Sequence, residues 1–461
     1  MSSNTTIAGL ASLLGLLGIW VLVLPAGAQP PPAPLPPGLP AASEPRSRYV
    51  QQDGPEETLD DAWRIALSVD RRLEASQWNL SAAARSLAAA GAERFPSLSV
   101  GADYIVLSEE PGFKLPALPP LPSRLPFFEQ DSGGVHAIVT QPLYTFGRIA
   151  SGIRAAEAGV AANHAEVNRT QMDVKMSVAE IYIGALRSAR QVEVSDNKVT
   201  SLAAHTRDVQ AMFEKGVVAK TDLLAAQVAL ADARQQLLQA RNGLEVARAA
   251  YNRILGRPLT DPVRLAELRE TDEVADVEDL TQEALRGRPE IAALSAQARA
   301  LRDQAVAVQA KKAPQVTLAG GYLYQQDKYI EPNGVAGVGL GVAWNIFDSG
   351  RVSNQAAALC EKAEALIRMR MDLESLIALE VRQKWLDLQT ALQRIDVARQ
   401  ATAQADENLR VVRDRYQQQT GTNTEVLDAE SLLVQAYTNF YNSTYEAVLA
   451  RLRLRRAIGD L

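Results

Sequence analysis

Hydrophobic and polar positions change period several times along the chain. From Thr58 a helical pattern runs to about residue 93, with Thr58 as N-cap and acids in the first turn. The period then drops to two. Leu98, Val100, Ala102, Tyr104 and Val106 alternate with Ser97, Ser99, Gly101, Asp103 and Ile105, which predicts a strand. A Pro-rich loop follows, and a second strand is expected over about 134–145. At Gly147-Arg148 the pattern switches to helix and holds to about Phe213 without a proline. Val160, Val167, Val174 and Ile181 recur every seven residues, as do Val178, Ala185, Val192 and Val199, the spacing of helices packed side by side. About 66 helical residues at 1.5 Å each predict a rod about 100 Å long. "EKGVVAKTD" turns the chain, and a helix returns from about 220 to 255, closed by Gly256 and Pro258.

After an irregular stretch over 257–277 the plan starts again. A helix is expected over 278–312, a strand from Pro314 to about Gln326, and a strand over about 335–347. A long helix then runs from Gly350-Arg351 to about Tyr416, with a turn at 417–421 and a last helix to about Ile458. Gly147-Arg148 maps onto Gly350-Arg351 with an offset of 203, as do Phe213 onto Tyr416 and Gly256 onto Gly459. Two repeats therefore organise the chain, 58–256 and 278–461, joined by the linker 257–277. The returning helix 217–255 has 39 residues and helix 278–312 has 35, so these two, stacked end to end with 257–277 bulging out at their junction, are expected to match one long helix of 66.

The strand over 335–347 alternates sharply. Val338, Leu340, Val342, Trp344 and Ile346 share one face, and Gly337, Gly339, Gly341, Ala343 and Asn345 the other. An apolar face opposite a small or polar one suits a transmembrane β-barrel, lipid outside and water inside, with Trp344 and Tyr104 at the membrane interface. A soluble sheet with one buried face would alternate in the same way. Four strands cannot close a barrel, and an open edge is not stable in lipid, so copies must pool their strands.

Composition sharpens the class. The 461 residues are 47% hydrophobic but only 5% aromatic, a mix suited to long, closely packed helices. A net charge of −6 with no basic block argues against nucleic acid. Residues 7–24 are uncharged and apolar, and "AGA" at 26–28 is a small-x-small cleavage site, so 1–28 reads as a signal peptide; 29–57 is a Pro-rich and polar arm. Cys360 is the only cysteine, which excludes an internal disulfide, and is expected to be a small packing residue. His136, His164 and His205 have no zinc spacing, and nucleophile-elbow and phosphate-loop motifs are absent. We therefore expect no enzyme, metal or cofactor.

Several stretches together are similar to the TolC-like outer-membrane efflux proteins: "TLDDAWRIAL", "FPSLSVGADY", "QPLYTFGR" with "WNIFDSGR", "FEKGVVAKTDLLAAQ" with "RYQQQTGTNTEVLDAE", and "YNRILGRPL". Their order, spacing and duplication carry the resemblance over nearly the whole mature length. It implies a mixed α/β membrane protein: a homotrimer sharing a twelve-stranded β-barrel in the bacterial outer membrane, with helical hairpins forming a periplasmic α-barrel. It implies a duct for efflux or type I secretion, with a periplasmic adaptor and an inner-membrane pump as partners. The alternative is an exported helical scaffold without a pore. Gly147, Arg148, Gly350 and Arg351 then mark the switch from membrane strand to helix. The helix tips, Gly216-Val217-Val218 and Thr420-Gly421-Thr422, become adaptor contacts.

Gln419 stands where the family usually has glycine, so the second tip is expected to have an altered turn. Glu425 and Asp428 are three residues apart, on one helix face. The family places acids at these positions as a cation-favouring constriction; Asp222 matches Glu425, while Ala225 replaces Asp428. Thr422-x-x-Glu425 is also a capping box, and for Glu425 the two readings stand level.

Overall fold

The computed structural model describes residues 56–116, 122–268 and 275–461, all within the unit 52–461. The signal segment expected over 1–28, and the arm 29–57 except its last two residues, lie outside the described residues. Helices α1 (Leu59–Val69) and α2 (Arg71–Ala92) lead to strand β1 (Ser97–Val106). A small hairpin, β2 (Gly112–Lys114) and β3 (Arg124–Pro126), precedes β4 (Asp131–Tyr144). Then come α3 (Arg148–Glu214) and α4 (Lys220–Ile254). Next are α5 (Val277–Gly287), α6 (Pro289–Gln309), β5 (Gln315–Gln326) and β6 (Gly334–Ala343). Helices α7 (Arg351–Gln417) and α8 (Asn423–Ile458) end the chain. Among the described residues no helix is long and apolar enough to cross a membrane.

Five sequence expectations are corrected. The helix expected over 58–93 breaks at Asp70, whose extended backbone (ψ 121°) ends α1 while its carboxylate accepts from the N–H groups of Arg72 and Leu73 to start α2. The helix expected over 278–312 breaks at Arg288, because a residue before proline avoids helical ψ; Pro289 then opens α6. Cys360, expected to pack, is exposed on α7. The hairpin β2–β3 has no counterpart in the expected loop, and β6 ends at Ala343, leaving Trp344 to donate its Nε1–H to the Lys312 carbonyl at 2.9 Å.

Both long helices have 67 residues, about 100 Å at 1.5 Å per residue. Short helices do stack end to end beside them, but the expected pair, 217–255 with 278–312, is not the one that forms. A Cβ on Gly256, just past α4, would lie 3.5 Å from the side chain of Val69, so α4 continues the line of α1–α2 along α3. Gly459, just past α8, abuts Gly287 and Arg288, so α8 continues the line of α5–α6. The second line lies between α3 and α7: Arg154 of α3 pairs with Asp303 of α6, and Arg302 of α6 with Glu364 of α7.

At the junctions the core is densest. Tyr182, Tyr251, Val174 and Val178 are fully buried there, and Trp63 donates to the Lys175 carbonyl at 2.8 Å. Glu57 reaches in to accept from Tyr251 Oη (2.8 Å) and from Arg257. Buried Arg288 bonds Glu290, Glu380 (2.7 Å) and the Ala457 carbonyl, while Arg456 bonds Asp173 (2.8 Å) and Glu290. This chain of ion pairs links α3, α6, α7 and α8.

Candidate functional site

The four long strands form one antiparallel sheet in the order β1-β4-β5-β6. Register decides its two faces. Leu98 faces Val139, and Val139 faces Gly320, which faces Val338. Val100, Ala137, Tyr322 and Ala336 form the next row, and Leu318 with Leu340 a further pair. Alternation therefore agrees across all four strands, and one face is mainly apolar, with Gln141 beside Leu318 and with Asp131 and Gln326 at the end far from the helices. Leu98, Val100, Tyr104, Val135, Val139, Tyr322, Val338 and Leu340 are exposed in the protomer. The opposite face carries Ser99, Gly101, Asp103, His136, Thr140, Thr317, Gln325, Gly339 and Gly341, interrupted by Ile138, Leu323 and Val335. His136 leans over Gly101, where a Cβ would lie 2.5 Å from its Nε2, and sits 3.6 Å from Asp103. With 10 to 14 residues each, the strands match a tilted membrane crossing.

The strand-to-helix switch is built alike twice. Phe146 and Gly147 have φ of 49° and 83°, and Ser349 and Gly350, 203 residues on, have 53° and 81°. Two successive left-handed residues turn the chain, and glycine takes the second at little cost. Arg148 pairs with Glu93 at 3.1 Å. Arg351 is exposed and acts with Lys312 on Asp348. The Asp348 carboxylate accepts from Val352 N–H and Gly350 N–H (both 2.9 Å), and these bonds hold it below the usual range.

At the far ends, the two tips have connections of equal length. Gly216 has φ 73°, and its N–H donates to Phe213 while Val217 N–H donates to Met212. Gln419 has φ 61°, with Gln419 N–H to Tyr416 and Thr420 N–H to Arg415. The altered turn expected at the second tip is therefore absent: the same helix-ending hydrogen bonds hold Gln419 in a conformation that costs a side chain about 1–2 kcal/mol. Gly421 is needed for close approach, since a Cβ there would lie 3.2 Å from Glu425 Oε2. Val217, Thr420 and Thr422 are exposed and Val218 is half-buried.

The acids differ in their surroundings. Glu425 N–H donates to Thr422 Oγ1 at 3.3 Å, and its carboxylate lies 3.5 Å from Arg415. Asp428 is exposed, with no partner among the described residues. Asp222 is half-buried, and its carbonyl accepts from Asn423 Nδ2 at 3.2 Å.

Sequence reasoning passed over the residues that tie the tips together. His205 of α3 is buried and meets Asn423 Oδ1 at 2.8 Å, with Tyr416 packed against its ring. Glu430 is buried, accepts from Ser201 Oγ at 2.6 Å and pairs with Arg413. His205 falls on neither seven-residue series of α3, and Glu430 ends the quoted "RYQQQTGTNTEVLDAE"; no local pattern marks either one as paired.

An open antiparallel sheet carried on antiparallel helices of this length defines a class of fold known from solved channels. The chain superposes on the outer membrane protein VceC of Vibrio cholerae with a TM-score of 0.73 at 20% identity, covering 87% of this chain and 96% of that one. On the open state of the Neisseria gonorrhoeae MtrE outer membrane channel the TM-score is 0.70 at 17% identity, covering 87% and 88%. Outer membrane protein TolC of Vibrio cholerae serotype O1 is 24% identical over 308 residues, 63% of this chain and 69% of that protein. The outer membrane efflux protein family matches residues 63–257 and 280–460, and the chain belongs to it. It is a TolC-like protein of the outer membrane.

Proposed function

We propose that the chain forms a homotrimeric channel-tunnel, the exit duct of a multicomponent efflux or type I secretion assembly. In this reading each chain, built of two structural repeats, lends four strands to a twelve-stranded barrel. The helices continue as a periplasmic tunnel, and the duct carries cargo without catalysing a reaction. One observation carries the reading: a sheet of membrane length with one mainly apolar face and two open edges, β1 and β6. An even number of alternating strands lets β6 of one copy pair antiparallel with β1 of the next, so rotation closes the ring. Exposed apolar side chains on α4 (Leu224, Val228, Leu238) and α7 (Leu376, Leu379, Val397) support copies packing side by side below.

The tips at Gly216-Val217-Val218 and Thr420-Gly421-Thr422 are the proposed seats of a periplasmic adaptor, which links the duct to an inner-membrane pump. Small exposed residues on paired, rigid turns support this. At the same end, Asp428 is the leading pore acid, because a threefold ring of unpaired carboxylates concentrates cations. Glu425 contributes less, because Arg415 beside its carboxylate offsets the charge; its bond to Thr422 is made by the backbone N–H alone and leaves the carboxylate free of the cap. Asp222 sits at the matching place of the other tip.

Mass measurement in detergent combined with single-channel recording tests this. A trimer that conducts is expected, with Asp428→Asn lowering cation preference more than Glu425→Gln. A conducting monomer refutes the shared barrel; unchanged selectivity in the double variant removes the acids from the gate.

A further inference from the structure

The hairpin β2–β3 stands past the end of the sheet farthest from the helices, since the helices join β1 and β4 at their other ends. The ladder continues into it: Leu107 N–H donates to Gln130 at 2.7 Å, and Phe127 N–H to Pro111 at 3.0 Å. Phe113 faces Leu125, and Lys114 faces Arg124, so the two pairs lie on opposite faces. The Phe127 ring packs on Phe113 at 4.9 Å. Phe113, Leu125 and Phe127 are 63%, 51% and 47% exposed, an apolar cluster that water disfavours.

The other face is cationic. Arg124 is engaged by the Glu110 carbonyl and lies 3.8 Å from Glu109, whereas Lys114 has no partner among the described residues. The base of the hairpin is pinned to the β5–β6 connection. Lys328 bridges Glu110 (3.2 Å) and Glu129 (3.3 Å), and Asp327 accepts from Glu129 N–H at 2.7 Å. The hairpin is thus amphipathic and held in place at the level where a membrane-length strand ends.

We propose that β2–β3 lies in the interface of the outer leaflet, its Phe113–Leu125–Phe127 face among acyl chains and Lys114 toward lipid phosphates. This rests on reading the sheet as a membrane-spanning wall. Aromatic rings and a lysine at that depth are what a bilayer interface accepts, the ring in the apolar zone and the ammonium reaching outward. The charge of Lys114, on the face opposite the rings, complements an anionic headgroup.

Spin labels on the full chain, with Cys360→Ser removing the native thiol, test the proposal. The protein is reconstituted in phosphatidylcholine–phosphatidylglycerol vesicles and labelled through Phe113→Cys, Phe127→Cys, Lys114→Cys or Val338→Cys. Collisions with dissolved oxygen are expected to dominate at 113, 127 and 338, and collisions with a nickel chelate at 114. Nickel-dominated collisions at 113 and 127 with 338 still oxygen-dominated would overturn the hairpin's placement and leave the barrel standing. Nickel-dominated collisions at 338 would overturn the barrel reading itself. Shielding from both reagents with spin–spin broadening would show hairpins of neighbouring copies packed together, which also overturns the proposal. Lys114→Glu should move the 127 label outward on anionic vesicles only; equal movement on pure phosphatidylcholine would remove the phosphate contact.

Discussion

Replacing Arg413 with alanine should loosen the helix tips more than replacing its partner Glu430. The two residues, with Ser201, tie α7, α8 and α3 together close to the turns. Their burial is unequal: the Glu430 side chain is 2% exposed and that of Arg413 36%. Without Arg413 a buried carboxylate keeps only the Ser201 hydroxyl, and stranding a buried charge costs about 3–5 kcal/mol. Without Glu430 the guanidinium, a third exposed, turns to water, and the loss falls to about 1 kcal/mol. At about 1.4 kcal/mol per tenfold, Arg413→Ala should raise local opening by roughly a hundredfold to a few thousandfold and Glu430→Ala by about fivefold. Hydrogen–deuterium exchange on the intact protein in detergent, read over 195–210 and 405–440, measures both. The pair Arg413→Leu with Glu430→Met should return most of the protection, since neither charge is then left alone. If Glu430→Ala accelerates exchange as much as Arg413→Ala, unequal burial does not set the cost and the reasoning fails.

Three further outcomes are expected. Burial alone would raise the Glu290 carboxyl, but hydrogen bonds from Arg288, its own backbone N–H and the charge of Arg456 outweigh that and hold it below the usual range. A depressed carboxyl stabilises the fold above its unfolded pKa and stops doing so as pH falls through the folded value. Unfolding midpoints should therefore drop below about pH 4, and less steeply in Glu290→Gln. Gly216→Trp has open space but a φ of 73°; it should leave trimer yield unchanged and abolish export from cells, and normal export would remove the tip from adaptor docking. Cysteine pairs scanned along β1 and β6, in a Cys360→Ser background, should cross-link neighbouring copies, while pairs between β1 and β5 should not.

Much of the architecture was legible from local pattern. Alternation over 97–106 and 335–343 marks strands because successive side chains point to opposite faces, and a seven-residue apolar repeat marks a helix that keeps one seam in contact. The Gly-Arg pairs at 147–148 and 350–351 mark the switches because a left-handed residue is needed there. The same pattern pointed to the turn at Gly216. It misled at Gln419, where a family habit of glycine was taken for a requirement; hydrogen bonds from the end of α7 hold the turn whatever the side chain.

Tertiary structure decided the pairings. Periodicity shows that a helix has an apolar face and does not show which neighbour covers it, so the stacking of α4 on α1–α2 and of α8 on α5–α6 came only from packing at Gly256 and Gly459. The break at Asp70 depends on one carboxylate capping two N–H groups, a bond that any helical Asp has the atoms to make. Asp428 and Glu425 look equivalent on one helix face; Arg415, ten residues before Glu425 across the turn, is what separates them. Glu430 and Arg413 become partners across the turn of one hairpin and His205 and Asn423 because two hairpins meet, and a contact between residues 17 or 218 positions apart leaves no local trace for sequence to carry.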